Sequence, residues 1–243
     1  MTPRKISYLQ EDHSRWSRLV KKLEPTLESA NKEFKDGLRA IGLQKDRIPS
    51  FEEINERLLP LTGWQYRAAE GEVSKHDFLV ALAGKVFLAE TKIRSEEEFD
   101  FCKLPDIFHD VYGHAAMLAY PRFSDFLLGL GLLALKHSDN PEAISGISNI
   151  YWYTAEVGVI YEGDLLHYYG GSIISSVSEI KTVMNPATTI LPYAVFEVIN
   201  TSYNSYDVND RYFSVNNLTE LNRSLQEADL ILQEQYRHSM MVK

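Results

Sequence analysis

The stretch FHDVYGH, residues 108–114, sets two histidines five positions apart around a glycine, in a chain with only seven histidines. Five steps along a regular α-helix turn the chain by about 140°, so His109 and His114 would face different ways. Either they are unrelated side chains, one buried and hydrogen-bonded and one wet, or the helix is distorted or ends near Gly113. In the second case both imidazoles can converge on one metal ion.

Two imidazoles need a third ligand to make a catalytic metal site. The stretch NIYWYTAEVGVIYE (149–162) offers one, because Glu156 interrupts an otherwise apolar and aromatic run. A carboxylate one helical turn from Trp152 and Val159 faces the core. Burying it ionised is costly unless it is paired or bound to a cation. The plain alternative is a buried glutamate that is protonated or paired with arginine. Beside His109 and His114, Glu156 completes a two-histidine, one-carboxylate set, which leaves coordination positions open and suits non-haem Fe(II). Such a set also suits hydrolytic zinc, and spacing alone does not choose. The absence of HExxH removes only the commonest zinc-protease pattern.

Composition bounds the classes. A chain of 243 residues can bury a sizeable core, and 44% apolar with 24% charged residues is an ordinary globular balance. A formal net charge of −9 argues against a nucleic-acid partner, which needs clustered cations. The one basic cluster, Arg18 with Lys21 and Lys22, reads as a solvated helix face. Cys102 is the only cysteine, so neither an intramolecular disulfide nor a cysteine zinc site can form, and a reducing compartment suits it. The N-terminus lacks an apolar signal core. The longest apolar run, FLLGLGLLAL at 126–135, is too short to span a bilayer and reads as a core helix. A cytoplasmic protein without a membrane partner is expected.

No repeat, low-complexity tract or Gly/Ser-rich linker divides the chain, so a single domain over 1–243 is expected. Helical spacing predicts helices over 8–22 and 25–41. Ser50 with Glu53 is a capping box opening a helix over 51–59. WQYRAAE (64–70) reads as a strand, HDFLVALA (76–83) as a helix capped by Ser74 and ended by Gly84, and KVFLAETKIR (85–94) as a strand. Pro105 breaks the chain before the short histidine helix. Helices follow over 121–136 and 141–161, then a strand DLLHYY (164–169), a helix SIISSVSEIKTVM (172–184) and a strand YAVFEVI (193–199). A last helix over 217–233 is capped by Asn217 with Glu220. The sum is mainly α (α+β), many helices with a few short strands.

LPDIFHDVYGH (104–114) taken with IYWYTAEVG (150–158) resembles the pterin-dependent aromatic amino acid hydroxylases. The pairing Pro-Asp-x-x-His-(Glu/Asp)-x-x-Gly-His with Tyr-Trp-(Phe/Tyr)-Thr-x-Glu-x-Gly is highly specific. DRIPSFEEINERL, HDFL and SIISSVSEI fall in the same order, so the resemblance runs from about Tyr8 to about Glu197. It weakens afterwards, and NTSYNSYDVND (200–210) reads as an insertion. The resemblance implies that fold, with Fe(II) held by His109, His114 and Glu156, a tetrahydrobiopterin or related tetrahydropterin, and O2 as co-substrate. Animal members carry a regulatory domain and a tetramerisation helix, neither of which is matched in this sequence, so a monomer is expected.

Residue by residue, Phe78 of HDFL matches the phenylalanine that stacks on the pterin, where a lone core Phe would otherwise be packing. Gly71 and Val73 match neighbouring pterin contacts, and Ser148 and Tyr151 match positions on the facing helix. Asp110 stands where the family usually has Glu. Arg94 matches the arginine that grips the amino acid carboxylate, a role suited to its planar fork, and Asp106 matches the aspartate that orients it. From spacing alone that pair would be a surface ion pair of little worth. Trp152 matches the aromatic-pocket tryptophan, while Ser175 and Glu179 match a serine beside a ligand histidine and a supporting glutamate.

Three departures bear on the substrate. Cys102-Lys103-Leu104 replaces Thr-Pro-Glu, exchanging a hydroxyl for a thiol, a weaker hydrogen-bonding group. Val157 replaces Phe beside the ligand glutamate, and Ser172 replaces Gly in the pocket. The expected activity is ring hydroxylation of a free aromatic amino acid, phenylalanine first. Tyrosine, tryptophan or another aromatic substrate, a zinc hydrolase, and a non-catalytic pterin- or metal-binding protein are the rivals.

Overall fold

Amphipathic spacing builds the N-terminal helices. The computed structural model describes residues 6–71 and 73–241. Helix α1 (Gln10–Leu23) buries Trp16, Leu19, Val20 and Leu23, spaced at one helical face. Its first turn carries Glu11 and Asp12 and its last Lys21 and Lys22, charges that complement the helix dipole. The expected capping box opens α3 (Phe51–Thr62): Ser50 Oγ accepts from the Glu53 amide at 3.2 Å, and the Glu53 carboxylate from the Ser50 amide at 2.8 Å. Ser74 likewise caps α4 (Lys75–Leu82), accepting from the Asp77 amide at 3.1 Å.

Among the described residues there are eleven α-helices and six short strands, the mainly α architecture expected. Strands β1 (Gln65–Ala68) and β2 (Val86–Ala89) form a parallel pair, with Gln65 opposite Val86. A second sheet has the order β4-β3-β6-β5, from β3 (Val159–Glu162), β4 (Leu165–Tyr168), β5 (Thr189–Pro192) and β6 (Arg211–Val215). The β3–β4 hairpin is antiparallel, and β6 runs parallel to both β3 and β5. Helix α6 (Pro121–Lys136) supplies the centre of the core with Phe126, Leu127, Leu130 and Ala134. It packs against α4, α7 (Pro141–Tyr151) and α11 (Thr219–Met241). No single helix among the described residues is long and apolar enough to cross a membrane.

Several expected boundaries move. The helix expected over 25–41 is a 3-10 turn (Glu24–Ser29) followed by α2 (Lys32–Ile41), because buried Asn31 starts a new helix by accepting from the Phe34 amide at 2.9 Å. The helix expected to Tyr161 ends its regular part at Tyr151, and Val159–Glu162 is strand β3; short runs of β-branched and aromatic residues suit either state. Of the strand expected over 85–94, only Val86–Ala89 forms β2. SIISSVSEIKTVM is two helices, α8 (Gly171–Ile174) and α9 (Val177–Val183), since Ser176 Oγ caps the second by accepting from the Glu179 amide. YAVFEVI is not a strand. Val195, Val198 and Ile199 are buried at helical spacing in α10 (Val195–Ile199). Strands β5 and β6 carry no clean alternation and were not expected.

Candidate metal centre and active site

The histidine segment is neither a regular helix nor its end. Phe108–Gly113 is a π-helical turn, followed directly by α5 (Ala115–Leu118). A π turn closes its hydrogen bonds over five residues instead of four, so residues five apart return near the same face. His109 and His114 meet with their Nε2 atoms 3.2 Å apart. The carboxylate segment, Trp152–Glu156, is also π-helical, with the Val157 amide donating to the Trp152 carbonyl at 2.9 Å. It brings Glu156 Oε2 to 3.4 Å from His109 Nε2 and Oε1 to 3.3 Å from His114 Nε2. The three ligand atoms form the one cluster of this kind among the described residues.

These separations fit a cation. Ligand atoms bonded to a first-row ion at roughly 2.0–2.2 Å lie about 3 Å apart when the bonds are near right angles. The proton inventory fits as well. Ser175 Oγ donates to the Gly171 carbonyl at 2.8 Å and lies 3.0 Å from His109 Nδ1. With its proton spent on Gly171, the hydroxyl can only accept, so His109 carries its proton on Nδ1 and turns a lone pair of Nε2 toward the centre. Ser172 Oγ donates to Glu156 Oε2 at 2.7 Å.

Close backbone approach, not hinge freedom, explains the glycine of the motif. A Cβ on Gly113 would sit 2.6 Å from the Gly171 carbonyl oxygen, and a Cβ on Gly171 would sit 2.4 Å from the His114 ring. The expected relaxation at Gly113 is thus a packing requirement between the π turn and α8. Gly171→Ala should displace His114 and lower metal retention by at least about tenfold, the lower cost of disturbing a supporting contact. Metal content after dialysis checks it, and an alanine variant retaining stoichiometric metal would refute the packing argument.

Arg94 and Asp106 are a buried pair, not a surface one, with side chains 1% and 6% exposed. Arg94 Nε and Nη2 donate to the two Asp106 oxygens at 3.0 and 2.7 Å, and Nη1 donates to the Ser175 carbonyl at 2.9 Å. Asp106 also accepts the His109 amide at 2.9 Å, so one carboxylate fixes both the arginine and the start of the histidine turn. The Cys102 thiol donates to the Leu104 carbonyl, and burial pushes its pKa up to about 11, opposed by nearby Arg94.

An aromatic enclosure lines the other side. Phe87 lies 5.0 Å from the His114 ring, and Phe78 meets both Phe87 and Tyr151 edge-on at 5.5 and 5.2 Å. Asp110 accepts the Glu90 amide at 2.6 Å, and burial holds its carboxyl well above the usual range. Gly71 and Val73 lie on the loop entering α4, with Gly71 left-handed at φ 81°. Ser148 Oγ is 2.8 Å from the Tyr203 hydroxyl, and Trp152 donates to Asn209 Oδ1 at 3.2 Å. Glu179 accepts from the Asn209 amide at 2.8 Å and from the Tyr212 hydroxyl at 2.6 Å. Tyr203, Asn209 and Tyr212 went unmarked in the sequence; the available signal was tyrosine recurring in an otherwise polar stretch.

In the metal-free chain His109 and Glu156 share one pH sign. Burial lowers the His109 pKa from 6.5 to about 4. Burial would raise Glu156, but His114 and His109 outweigh it and hold the carboxyl well below its ordinary 4.5. The unfolded chain therefore binds more protons at both groups, and the stability these two contribute falls as pH drops from 6.5 toward 4. The His109 share is on the order of 3 kcal/mol at most. Asp110, raised by burial, works in the opposite sense. Between pH 6.5 and 4 the thermal midpoint of the metal-free chain should fall relative to that of its His109→Gln variant; equal changes in the two midpoints would contradict this.

The model of the biopterin-dependent aromatic amino acid hydroxylases matches residues 2–240. The chain belongs to this family. The match runs well past Glu197, so residues 200–210 lie inside it. Phenylalanine-4-hydroxylase of Vibrio cholerae is 34% identical over 220 residues, covering 89% of this chain and 75% of that protein. The Pseudomonas aeruginosa phenylalanine-4-hydroxylase is 31% identical over 91% of this chain and 84% of its own. The cobalt-bound Chromobacterium violaceum phenylalanine hydroxylase superposes with a TM-score of 0.87 at 29% identity, over 93% of this chain and 83% of that one. The cold-active enzyme of Colwellia psychrerythraea gives 0.88 at 26% identity, over 97% and 94%. As a member of the family this hydroxylase is a monooxygenase that uses iron, a tetrahydropterin and O2.

Proposed function

We propose that this hydroxylase converts free phenylalanine to tyrosine, with His109, His114 and Glu156 holding the iron. The convergence of those three side chains carries the reading, and the relatives' activity on phenylalanine supports the choice of ring. When bound, iron and tetrahydropterin supply the reduction of O2 and the delivery of one oxygen atom to the ring. The chain's own residues orient and exclude. Ser175 keeps His109 in the ligating tautomer, and Ser172 satisfies the Glu156 oxygen that faces it. Phe78 and Tyr151, with Ser148, Asp110, Gly71 and Val73, are read as the pterin's surroundings, where apolar rings keep water from the reduced cofactor.

Trp152 is read as the wall for the substrate ring, and Arg94 as the group receiving its carboxylate. Three of the five Arg94 N–H groups bond to Asp106 and Ser175, which leaves two for an incoming carboxylate. Cys102, near Arg94, is a weaker partner there than a hydroxyl. Product analysis after incubation with Fe(II), a tetrahydropterin, O2 and mixed aromatic amino acids tests the reading. Tyrosine formed from phenylalanine ahead of other products is expected, and tryptophan consumed first would overturn the substrate choice. A single-domain monomer is proposed as well, to be checked by light scattering, where a stable tetramer at micromolar concentration would refute it. A cytoplasmic location is proposed on the single free thiol; fractionation of the native host tests it.

A further inference from the structure

The segment between α10 and β6 is mostly exposed and lacks regular structure, yet it touches the site at two points. The Tyr203 ring stacks on Trp152 with centroids 4.4 Å apart and planes within 4°. The Asn209 side chain takes the indole N–H at 3.2 Å. One partner thus covers the face of the indole and the other holds its edge. Both partners are themselves tied down. Tyr203 reaches Ser148 through its hydroxyl at 2.8 Å, with Lys75 Nζ over its ring at 4.5 Å. The Asn209 backbone amide donates to buried Glu179.

We infer that Tyr203 and Asn209 are positioning residues that lock the plane of Trp152 and so set which ring size the amino acid pocket accepts. The inference rests on the reading of Trp152 as the pocket wall. An indole held at face and edge cannot swing aside, and a wall that cannot yield penalises a larger ring by overpacking. Freed from either contact, Trp152 turns and the penalty against a bicyclic substrate shrinks. Lys75 and Ser148 lie on the helices that carry Phe78 and Tyr151, so the same tyrosine joins the wall read as the pterin's to the amino acid wall.

The test uses the iron-loaded full chain with a tetrahydropterin, comparing kcat/KM for phenylalanine and for tryptophan. Tyr203→Ala should lower the phenylalanine-to-tryptophan ratio by about threefold to tenfold, the span of one aromatic stacking contact. Asn209→Ala should move it in the same direction without touching the stack. Tyr203→Phe, which keeps the stack, should restore the ratio. Near-ultraviolet circular dichroism in the tryptophan band supplies a readout independent of turnover: Tyr203→Ala loses intensity and Tyr203→Phe keeps it. An unchanged dichroism band in Tyr203→Ala, or equal loss for both substrates, overturns the inference while leaving the proposed activity standing. A wild type inert on both amino acids overturns the proposed activity and the selectivity role with it.

Discussion

His114→Ala purified without added metal will emerge folded but nearly empty, with metal affinity lowered by more than about 100-fold. That figure is the upper cost of disturbing a partner that only supports a ligand, and His114 is itself one of the three converging groups. The fold should survive, because the π turn is held by packing that does not involve the imidazole. Trp16 of α1 meets Phe108 at 5.1 Å, and Phe108 stacks on Tyr112 at 4.8 Å. Far-ultraviolet dichroism together with metal analysis and tyrosine formation checks all three parts. Near-normal metal and activity in this variant would remove His114 from the site. Glu156→Gln should behave alike for metal, since the amide keeps a group for Ser172 to bond but loses the charge that balances the cation.

Arg94→Ala will cost both stability and substrate binding, and the two losses have different sources. Removing the guanidinium strands the Asp106 carboxylate in a buried setting, where breaking one half of an ion pair costs about 3–5 kcal/mol. Asp106 also accepts the His109 amide, so the damage reaches the metal turn. Losing a charge-assisted hydrogen bond to the substrate carboxylate adds roughly 1.5–3 kcal/mol, about tenfold to a hundredfold in affinity. Arg94→Lys should recover part of the stability but little of the binding, because an ammonium lacks the fork that serves two acceptors at once. Denaturant midpoints separate the first loss, and comparison of phenylalanine with phenethylamine separates the second. If the variant discriminates between these two ligands as well as the wild type does, the carboxylate contact lies elsewhere.

The chemistry of the site was more legible than its scaffold. His109, His114 and Glu156 stand in a motif pair whose spacing is specific, and their separation by five residues already conflicted with a regular helix. The form of the resolution was not legible: nothing in FHDVYGH distinguishes a wide turn from a terminated one, because the choice depends on Asp106 and Gly171 from other elements. Arg94 looked like half of a surface pair because burial is a tertiary property, set by α8 and the π turn closing over it. The misread elements share a cause. VIYE and YAVFEVI are short apolar runs in which both periods fit, so their packing partners decide between strand and helix. Tyr203 and Asn209 were missed for a different reason. Their contacts are with Trp152 some fifty residues earlier, and a polar stretch without periodicity gives no hint of such pairing.

Both ligand-bearing segments are helical rings enlarged by one residue, and in the histidine ring the extra residue adds contacts rather than alignment of the ligands. Excising a single residue from Phe108–Gly113 would heal the turn into a regular helix, with ordinary bonds and no loss of backbone pairing. With the excision between them, the two histidines would stand four apart, about 40° from each other around a regular helix and on one face. His114 would still face His109, but one of Asp110, Val111, Tyr112 and Gly113 would be gone. The larger ring therefore carries, besides the imidazole pair, the Asp110 bond to the Glu90 amide, the Tyr112 stack on Phe108 and the close approach of Gly113 to Gly171.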